Sequence, residues 1–128
     1  ALLSSCTNSS TTRCLRMLTE SPFPEKQKLL ENELAYAIYD AFPVSPGHTL
    51  IVPRRIVADY FDLEATEKRA MWKLVDDMRE YLRATFKTTY FNIGVNCGEP
   101  AGQTIAHVHI HLIPRYPGDT PNPRGGVR

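Results

Sequence analysis

Three of the four histidines in this chain alternate with apolar residues within the stretch TIAHVHIHLIP, residues 104–114. They are His107, His109 and His111, and apolar residues fill the positions between them. In a β-strand, side chains two residues apart share a face and lie ~6.5–7 Å apart along the chain. The pattern therefore predicts a strand with three imidazole rings on one face and a core-facing apolar surface on the other.

Two kinds of chemistry could use such a row of imidazoles. Histidines bind zinc with Zn–N distances of ~2.0–2.1 Å, but the outer two rings of a regular strand would stand ~13 Å apart. An imidazole with a reference pKa of ~6.5 can instead attack a phosphorus atom at neutral pH. Its neighbours can donate hydrogen bonds to phosphate oxygens or protonate a leaving group. The spacing favours catalysis at a phosphate, and a two-histidine metal site completed from elsewhere stays open as the alternative.

The segments before the histidine row predict the rest of a sheet. Residues 33–42 (ELAYAIYDAF) and 49–53 (TLIVP) are rich in aromatic and aliphatic side chains, and the turn-forming stretch PVSPGH connects them. This arrangement is typical of a hairpin. Residues 88–96 (TTYFNIGVN) alternate apolar side chains with polar or small ones, which predicts another strand. The loop CGEPAGQ then leads into the row.

One long amphipathic segment, residues 62–86, predicts a helix that packs on this sheet. Its apolar residues recur at three- and four-residue steps and form a single stripe. The stripe consists of Met71, Leu74, Val75, Met78, Leu82 and Phe86. Asp62 stands where its side chain can cap the start of the helix. Trp72 lies beside the stripe, where we expect a structural role in the core or at an interface.

The composition indicates one globular domain without a strongly charged surface. The 128 residues carry 15 basic and 14 acidic side chains, a net charge of +1, which gives no reason to expect nucleic acid as a partner. No apolar run reaches the ~20 residues of a membrane span. Cys6, Cys14 and Cys97 form no CxxC pair, which indicates a reducing, cytoplasmic environment. We expect a loosely structured, helical or irregular N-terminal arm over residues 1–20 and a single α+β domain with a mainly antiparallel sheet over 21–128.

The motif HVHIHLIP resembles the signature of the histidine triad (HIT) family. The segments PVSPGHTLIVPRR and NCGEPAGQTIAH, and the helix between them, match that family in order and spacing over roughly residues 29–128. Within it, the chain is most similar to bacterial proteins of the Fhit-like kind, the dinucleoside polyphosphate hydrolases. The resemblance implies a HIT-like fold with about five strands and one long helix. It also implies a nucleotide hydrolase or transferase that acts at the α-phosphate of a nucleoside polyphosphate.

The same resemblance implies a role for each histidine. The family reaction passes through a covalent nucleotidyl-histidine, a phosphohistidine intermediate, and releases a nucleoside monophosphate. Position by position, His109 is the nucleophile, and His107 and His111 flank the phosphate, orient the nucleophile and serve the leaving group. His48, in the PGH stretch, supports the row through hydrogen bonds, and His107 or His48 relays protons.

The resemblance also implies a set of substrate-binding residues. Asp40 matches the position that binds the ribose hydroxyls, and a carboxylate can accept hydrogen bonds from two hydroxyls. Asn96 matches a polar residue that contacts phosphate. Gln103 and Thr104, with their backbone N–H groups, match the loop that lies against the phosphates.

The resemblance also bears on cofactors and partners. Many HIT proteins hold a structural zinc with an N-terminal CxxC and a histidine after PRR, whereas here Cys6 and Cys14 are farther apart and Ile56 follows PRR. We therefore expect no metal and no cofactor, although the substrate can act as a magnesium complex. The resemblance implies a homodimer with a small-molecule nucleotide substrate. A Hint-like nucleoside phosphoramidate hydrolase and a nucleotide-binding module with little turnover remain alternatives.

Overall fold

Five strands form one antiparallel sheet, and a single long helix packs against it. The computed structural model describes residues 21–125 and two short paired strands, Leu2–Leu3 (β1) and Met17–Leu18 (β2). The main sheet consists of β3 (Leu30–Glu31), β4 (Ala35–Tyr39), β5 (Thr49–Pro53), β6 (Tyr90–Val95) and β7 (Ile110–Arg115). Its strand order is β3-β4-β5-β7-β6, and every neighbouring pair is antiparallel. The predicted α+β class is confirmed.

The predicted N-terminal arm falls mostly on chain that the structure does not describe. Apart from β1 and β2, the expectation for residues 1–20 lies outside the described residues, and so do Cys6 and Cys14.

The β4–β5 hairpin places His48 at the start of a central strand. It forms where the sequence predicts it, with Tyr39 paired to Thr49. The turn before His48 needs a glycine, because Gly47 has a φ of +90° and a Cβ there would lie 3.0 Å from the Phe86 ring. Only glycine adopts this conformation without strain. The tight turn thus places His48 immediately before β5, in contact with the loop that follows β4.

The helix, α1, spans Ala65–Phe86 and buries the predicted stripe. The predicted start at Asp62 is wrong, because residues 60–62 form a separate 3₁₀ turn. The helix begins after Glu64, whose backbone N–H donates to the Glu67 carboxylate at 2.8 Å. Arg55 also donates two hydrogen bonds to this buried carboxylate and lowers the pKa of Glu67. No helix within the described residues is long and apolar enough to span a bilayer.

The strand that carries the histidine row is shorter than predicted. β7 begins at Ile110, whereas the sequence predicts a strand over 104–114. Continuing the pairing of Ile51 with Ile110 would set Pro53 opposite Val108, but proline has no N–H to donate. Val108 donates instead to the Val57 carbonyl at 2.7 Å. The apolar face is as predicted, since the three residues between and after the histidines lie in the core beneath α1. They are Val108, Ile110 and Leu112.

Candidate active site

A cleft lies on the sheet face opposite α1. Its cavity volume is about 270 Å³. Most of the residues predicted from the sequence line it, namely Asp40, His48, Asn96, Thr104, His109 and His111. Apolar side chains complete the wall, namely Phe23, Phe42, Val44, Leu50, Ile105 and Ile113. The cleft therefore combines a polar row that includes three histidines with apolar surface of the kind that accepts a nucleobase.

His109 presents an unprotonated ring nitrogen. Its Nδ1 lies 2.9 Å from the carbonyl oxygen of His107, which can only accept a hydrogen bond. Nδ1 must therefore carry the proton, and Nε2 keeps its lone pair. Burial lowers the pKa of His109, against the raising effects of the His107 carbonyl and the Asp40 charge. The Phe23 ring, 5.1 Å away edge-on, forms part of the apolar surroundings. A neutral imidazole with a fixed tautomer is the form that a nucleophile requires.

His48 and His111 form a directed hydrogen-bond chain. The Val44 N–H donates to Nδ1 of His48 at 3.0 Å, so the His48 proton lies on Nε2. That Nε2 is 2.9 Å from Nδ1 of His111 and 3.4 Å from a carboxylate oxygen of Asp40. His111 then accepts at Nδ1 and carries its own proton on Nε2. The chain makes His111 a hydrogen-bond donor at Nε2, with its orientation set by His48, 63 residues away in sequence.

His107 lies behind the cleft, in contrast to its predicted place beside the phosphate. The ring is fully buried. Its Nε2 donates to the Pro53 carbonyl at 3.0 Å, and its Nδ1 lies 3.3 Å from both the N–H and the carbonyl oxygen of Val57. Because the single proton of the neutral ring is on Nε2, Nδ1 accepts from the Val57 N–H. Burial lowers the pKa of His107 and keeps the ring neutral. With both nitrogens bound to backbone groups at the end of β5 and just after it, this side chain can neither flank a phosphate nor relay protons.

Gln103 also departs from its predicted place. Its side chain donates to the carbonyls of Ala58 and Ile105 at 2.7 and 2.9 Å and accepts the Gly98 N–H at 2.9 Å. Its backbone N–H donates to the Gly98 carbonyl. The residue is buried and braces the loop from inside. Thr104, the next residue, is the one that reaches the cleft.

The sequence did not predict the apolar wall of the site. Leu50 and Ile113 stand two residues after His48 and His111, so the two-residue strand period could have placed them on the same face. Phe23 follows a proline in a segment that predicts only a turn, and Phe42 lies in a hairpin loop. Neither carries a sequence signal for a binding surface.

The side chains that could hold a metal ion within the described part of the chain include one member of the histidine row, His111. Among the described residues, donor atoms from Asp40, His48 and His111 come within 4.8 Å of one another. This set replaces two members of the row by residues from the β4–β5 hairpin. Two imidazoles and one carboxylate suit a cation such as zinc, and binding would displace the proton that His48 shares with His111.

Comparisons with known proteins agree with this architecture. The family profile for the HIT domain matches residues 23–118. An uncharacterized HIT-like protein of Mycoplasma genitalium is 38% identical over 89 residues, 70% of this chain and 63% of its own length. The asymmetrical bis(5'-nucleosyl)-tetraphosphatase of Schizosaccharomyces pombe is 34% identical over 105 residues, 81% of this chain and 58% of that enzyme.

Solved structures give the same result. The crystal structure of a HIT family protein from Bacillus anthracis aligns with a TM-score of 0.69 and 36% identity, over 73% of this chain and 66% of that one. The chain spans about three fifths of the length of the curated relatives that it matches first. The match covers the sheet, the helix and the cleft, and the chain belongs to the HIT family.

Proposed function

We propose that this protein hydrolyses or transfers at the α-phosphate of a nucleoside polyphosphate, with a dinucleoside polyphosphate as substrate. The observation that carries the proposal is the hydrogen bond from His109 Nδ1 to the His107 carbonyl. It leaves the Nε2 lone pair of a cleft-lining histidine unprotonated. Relatives named bis(5'-nucleosyl)-tetraphosphatase and bis(5'-adenosyl)-triphosphatase support the choice of substrate class.

The reaction has two steps. In the first, His109 Nε2 bonds to the α-phosphorus while the bond to the bridging oxygen of the leaving nucleotide breaks. The His111 Nε2–H donates a hydrogen bond to that oxygen, so the nucleotide leaves as an anion, and the His48 hydrogen bond holds the His111 ring in place. In the second, water attacks the phosphorus and the P–N bond breaks. The His109 Nε2 regains its lone pair, the proton released by the water passes to solvent, and a nucleoside monophosphate leaves.

Three polar residues position the substrate in this proposal. Asp40 accepts from the ribose hydroxyls, because its carboxylate keeps acceptor capacity beyond the Phe42 N–H that it already binds at 2.9 Å. Asn96 and Thr104, on opposite sides of the glycine loop, contact the phosphates. The nucleobase of the attacked nucleotide packs against Phe23 and Leu50. Gln103 acts through the shape of the loop.

Metal is not required for the chemistry as proposed, and the protein carries no cofactor of its own. Imidazole protons supply the charge stabilisation, and magnesium accompanies the substrate. The compartment proposed is the cytoplasm, because three cysteines without a CxxC pair suit a reducing environment.

The assembly proposed is a homodimer. Tyr90 on the edge strand β6 and Trp72 and Tyr81 on α1 all expose aromatic surface, which is enriched where chains associate. Light scattering of the purified chain should give twice the protomer mass of 14.5 kDa. A mass of one protomer at the concentration of the activity assay would rule out the dimer as the working form.

The proposed function is tested by product analysis. The protein is incubated with diadenosine triphosphate, diadenosine tetraphosphate and adenosine phosphoramidate, each with magnesium or with excess EDTA. AMP from the dinucleotides supports the proposal, and AMP from the phosphoramidate alone favours the Hint-like alternative. A His109→Asn variant controls for contaminating activity. Nucleotide binding with no AMP from any substrate would leave a binding module and overturn the proposal.

A further inference from the structure

The cleft is too small to enclose a whole dinucleoside polyphosphate. Pockets that enclose drug-sized ligands measure ~300–1,000 Å³, and this one measures about 270 Å³. In the proposed function the attacked nucleotide occupies this cleft, with its base against Phe23 and Leu50. The second nucleoside of the substrate must therefore lie outside, on the rim of the cleft.

One large aromatic ring is exposed on that rim. Phe42 lines the cleft, and its exposed fraction is 89%. This is the highest exposed fraction of any large apolar residue in the described part of the chain. Burying a phenylalanine side chain is worth about 1.5–3 kcal/mol relative to leaving it in water. A phenylalanine ring exposed at the mouth of a cleft therefore contributes favourable free energy only when a ligand covers it. Val44, also partly exposed, extends the surface.

The loop that carries Phe42 is tied to the histidine chain at both ends. The Phe42 N–H donates to Asp40 at 2.9 Å, and the Val44 N–H donates to His48 at 3.0 Å. Pro43 lies between them and restricts the backbone further. The ring is therefore held in place at the mouth of the cleft, beside Asp40 and His48. In the proposed function the attacked base packs against Phe23 and Leu50, which leaves Phe42 uncovered.

We propose that Phe42 forms a second nucleobase site, on which the base of the leaving nucleotide stacks. This rests on the proposed function, and it narrows the substrate class to nucleotides whose leaving group itself carries an aromatic base. Stacking on a side chain tolerates any base, because every base has a π-face. Hydrolysis of a phosphoramidate, whose leaving group is ammonia, gains nothing from the site.

The test compares two substrates that share the attacked nucleotide. We would measure kcat/KM for diadenosine tetraphosphate and for adenosine phosphoramidate in the wild type, Phe42→Ala and Phe42→Tyr. The ratio of the two values should fall about fivefold to tenfold in Phe42→Ala, the low end for base–aromatic stacking, since one face of the ring stays in water. Phe42→Tyr should restore it. Phe61→Ala, which removes another exposed ring outside the cleft, is the matched control and should leave the ratio unchanged.

Other outcomes separate the two proposals. A ratio that stays at the wild-type value in Phe42→Ala overturns the second nucleobase site while the proposed function stands. An equal loss with both substrates also overturns it and makes Phe42 a support for the loop. If the wild type releases no AMP from either substrate, the proposed function fails. Calorimetry then measures the binding of diadenosine tetraphosphate and of AMP to the wild type and to Phe42→Ala. If the ratio of these two affinities is the same in both proteins, the second nucleobase site is overturned.

Discussion

Replacing His107 with alanine should destabilise the protein strongly, although no catalytic step is assigned to this side chain. The substitution leaves the Pro53 carbonyl and the Val57 N–H without their partner. Each buried polar group left unpaired costs about 1–3 kcal/mol, and the cavity of a fully buried ring adds to that. We expect a loss of about 3–5 kcal/mol, a large part of the ~5–15 kcal/mol that holds a domain folded.

A second substitution separates hydrogen bonding from volume. In His107→Gln, the side-chain amide can still donate to Pro53 from near the Nε2 position, so we expect a loss of only about 1–2 kcal/mol. Urea unfolding at pH 7.5, followed by the circular dichroism of α1, measures both variants. His109→Ala is the matched control, because its ring makes one hydrogen bond, to the His107 carbonyl, and lies at the cleft.

The pH dependence of stability provides a further readout. Burial lowers the pKa of His107 below 6.5 in the folded state, whereas the unfolded chain binds a proton near pH 6.5. The unfolded state then binds more protons, so wild-type stability falls as the pH drops below about 6.5. His107→Gln should show a weaker fall. Alanine and glutamine variants as stable as the wild type, with unchanged acid sensitivity, would refute the backbone role of His107.

The remaining predictions concern catalysis and the hairpin. The plateau of kcat should extend below pH 6.5, because burial lowers the pKa of His109 and keeps Nε2 unprotonated; an acid limb at or above pH 6.5 in the pH–rate profile would contradict this. Gly47→Ala should cost at least about 1–2 kcal/mol in urea unfolding, since φ is +90° and the new Cβ would meet Phe86; unchanged stability would show that the turn tolerates a side chain. Excess EDTA should change phosphoramidate turnover by no more than about twofold, whereas a catalytic metal supplies several kcal/mol of stabilisation; complete loss restored by zinc would point to a metal enzyme.

Local patterns predicted the parts of this fold that local forces decide. The strand Thr49–Pro53 forms at its predicted bounds, and the apolar stripe of α1 is buried because its three- and four-residue spacing matches one helix face. The helix begins later than predicted because the Glu64 backbone N–H donates to the Glu67 carboxylate. Arg55, which precedes the helix, donates to the same carboxylate. Whether Asp62 or Glu64 caps the helix thus depends in part on Arg55, a residue outside the helix segment.

The site was predictable in its residue types and less so in its geometry. A two-residue period places all three histidines of the row on one face only while the strand stays regular. Pro53, on the neighbouring strand, ends that regularity and sends the His107 ring to the backbone. The pairing of His48 with His111 spans 63 residues, so only the sheet register could establish it.

The central claim is that His109 Nε2 becomes covalently bonded to the α-phosphorus. The most direct test is to mix the protein with diadenosine tetraphosphate, quench within milliseconds under conditions that preserve P–N bonds, and locate the adduct by mass spectrometry. We predict one adenylyl group per chain on His109, forming and decaying at rates consistent with turnover and absent in His109→Asn. Turnover with no adduct, or an adduct on His111 or His48, would contradict the account.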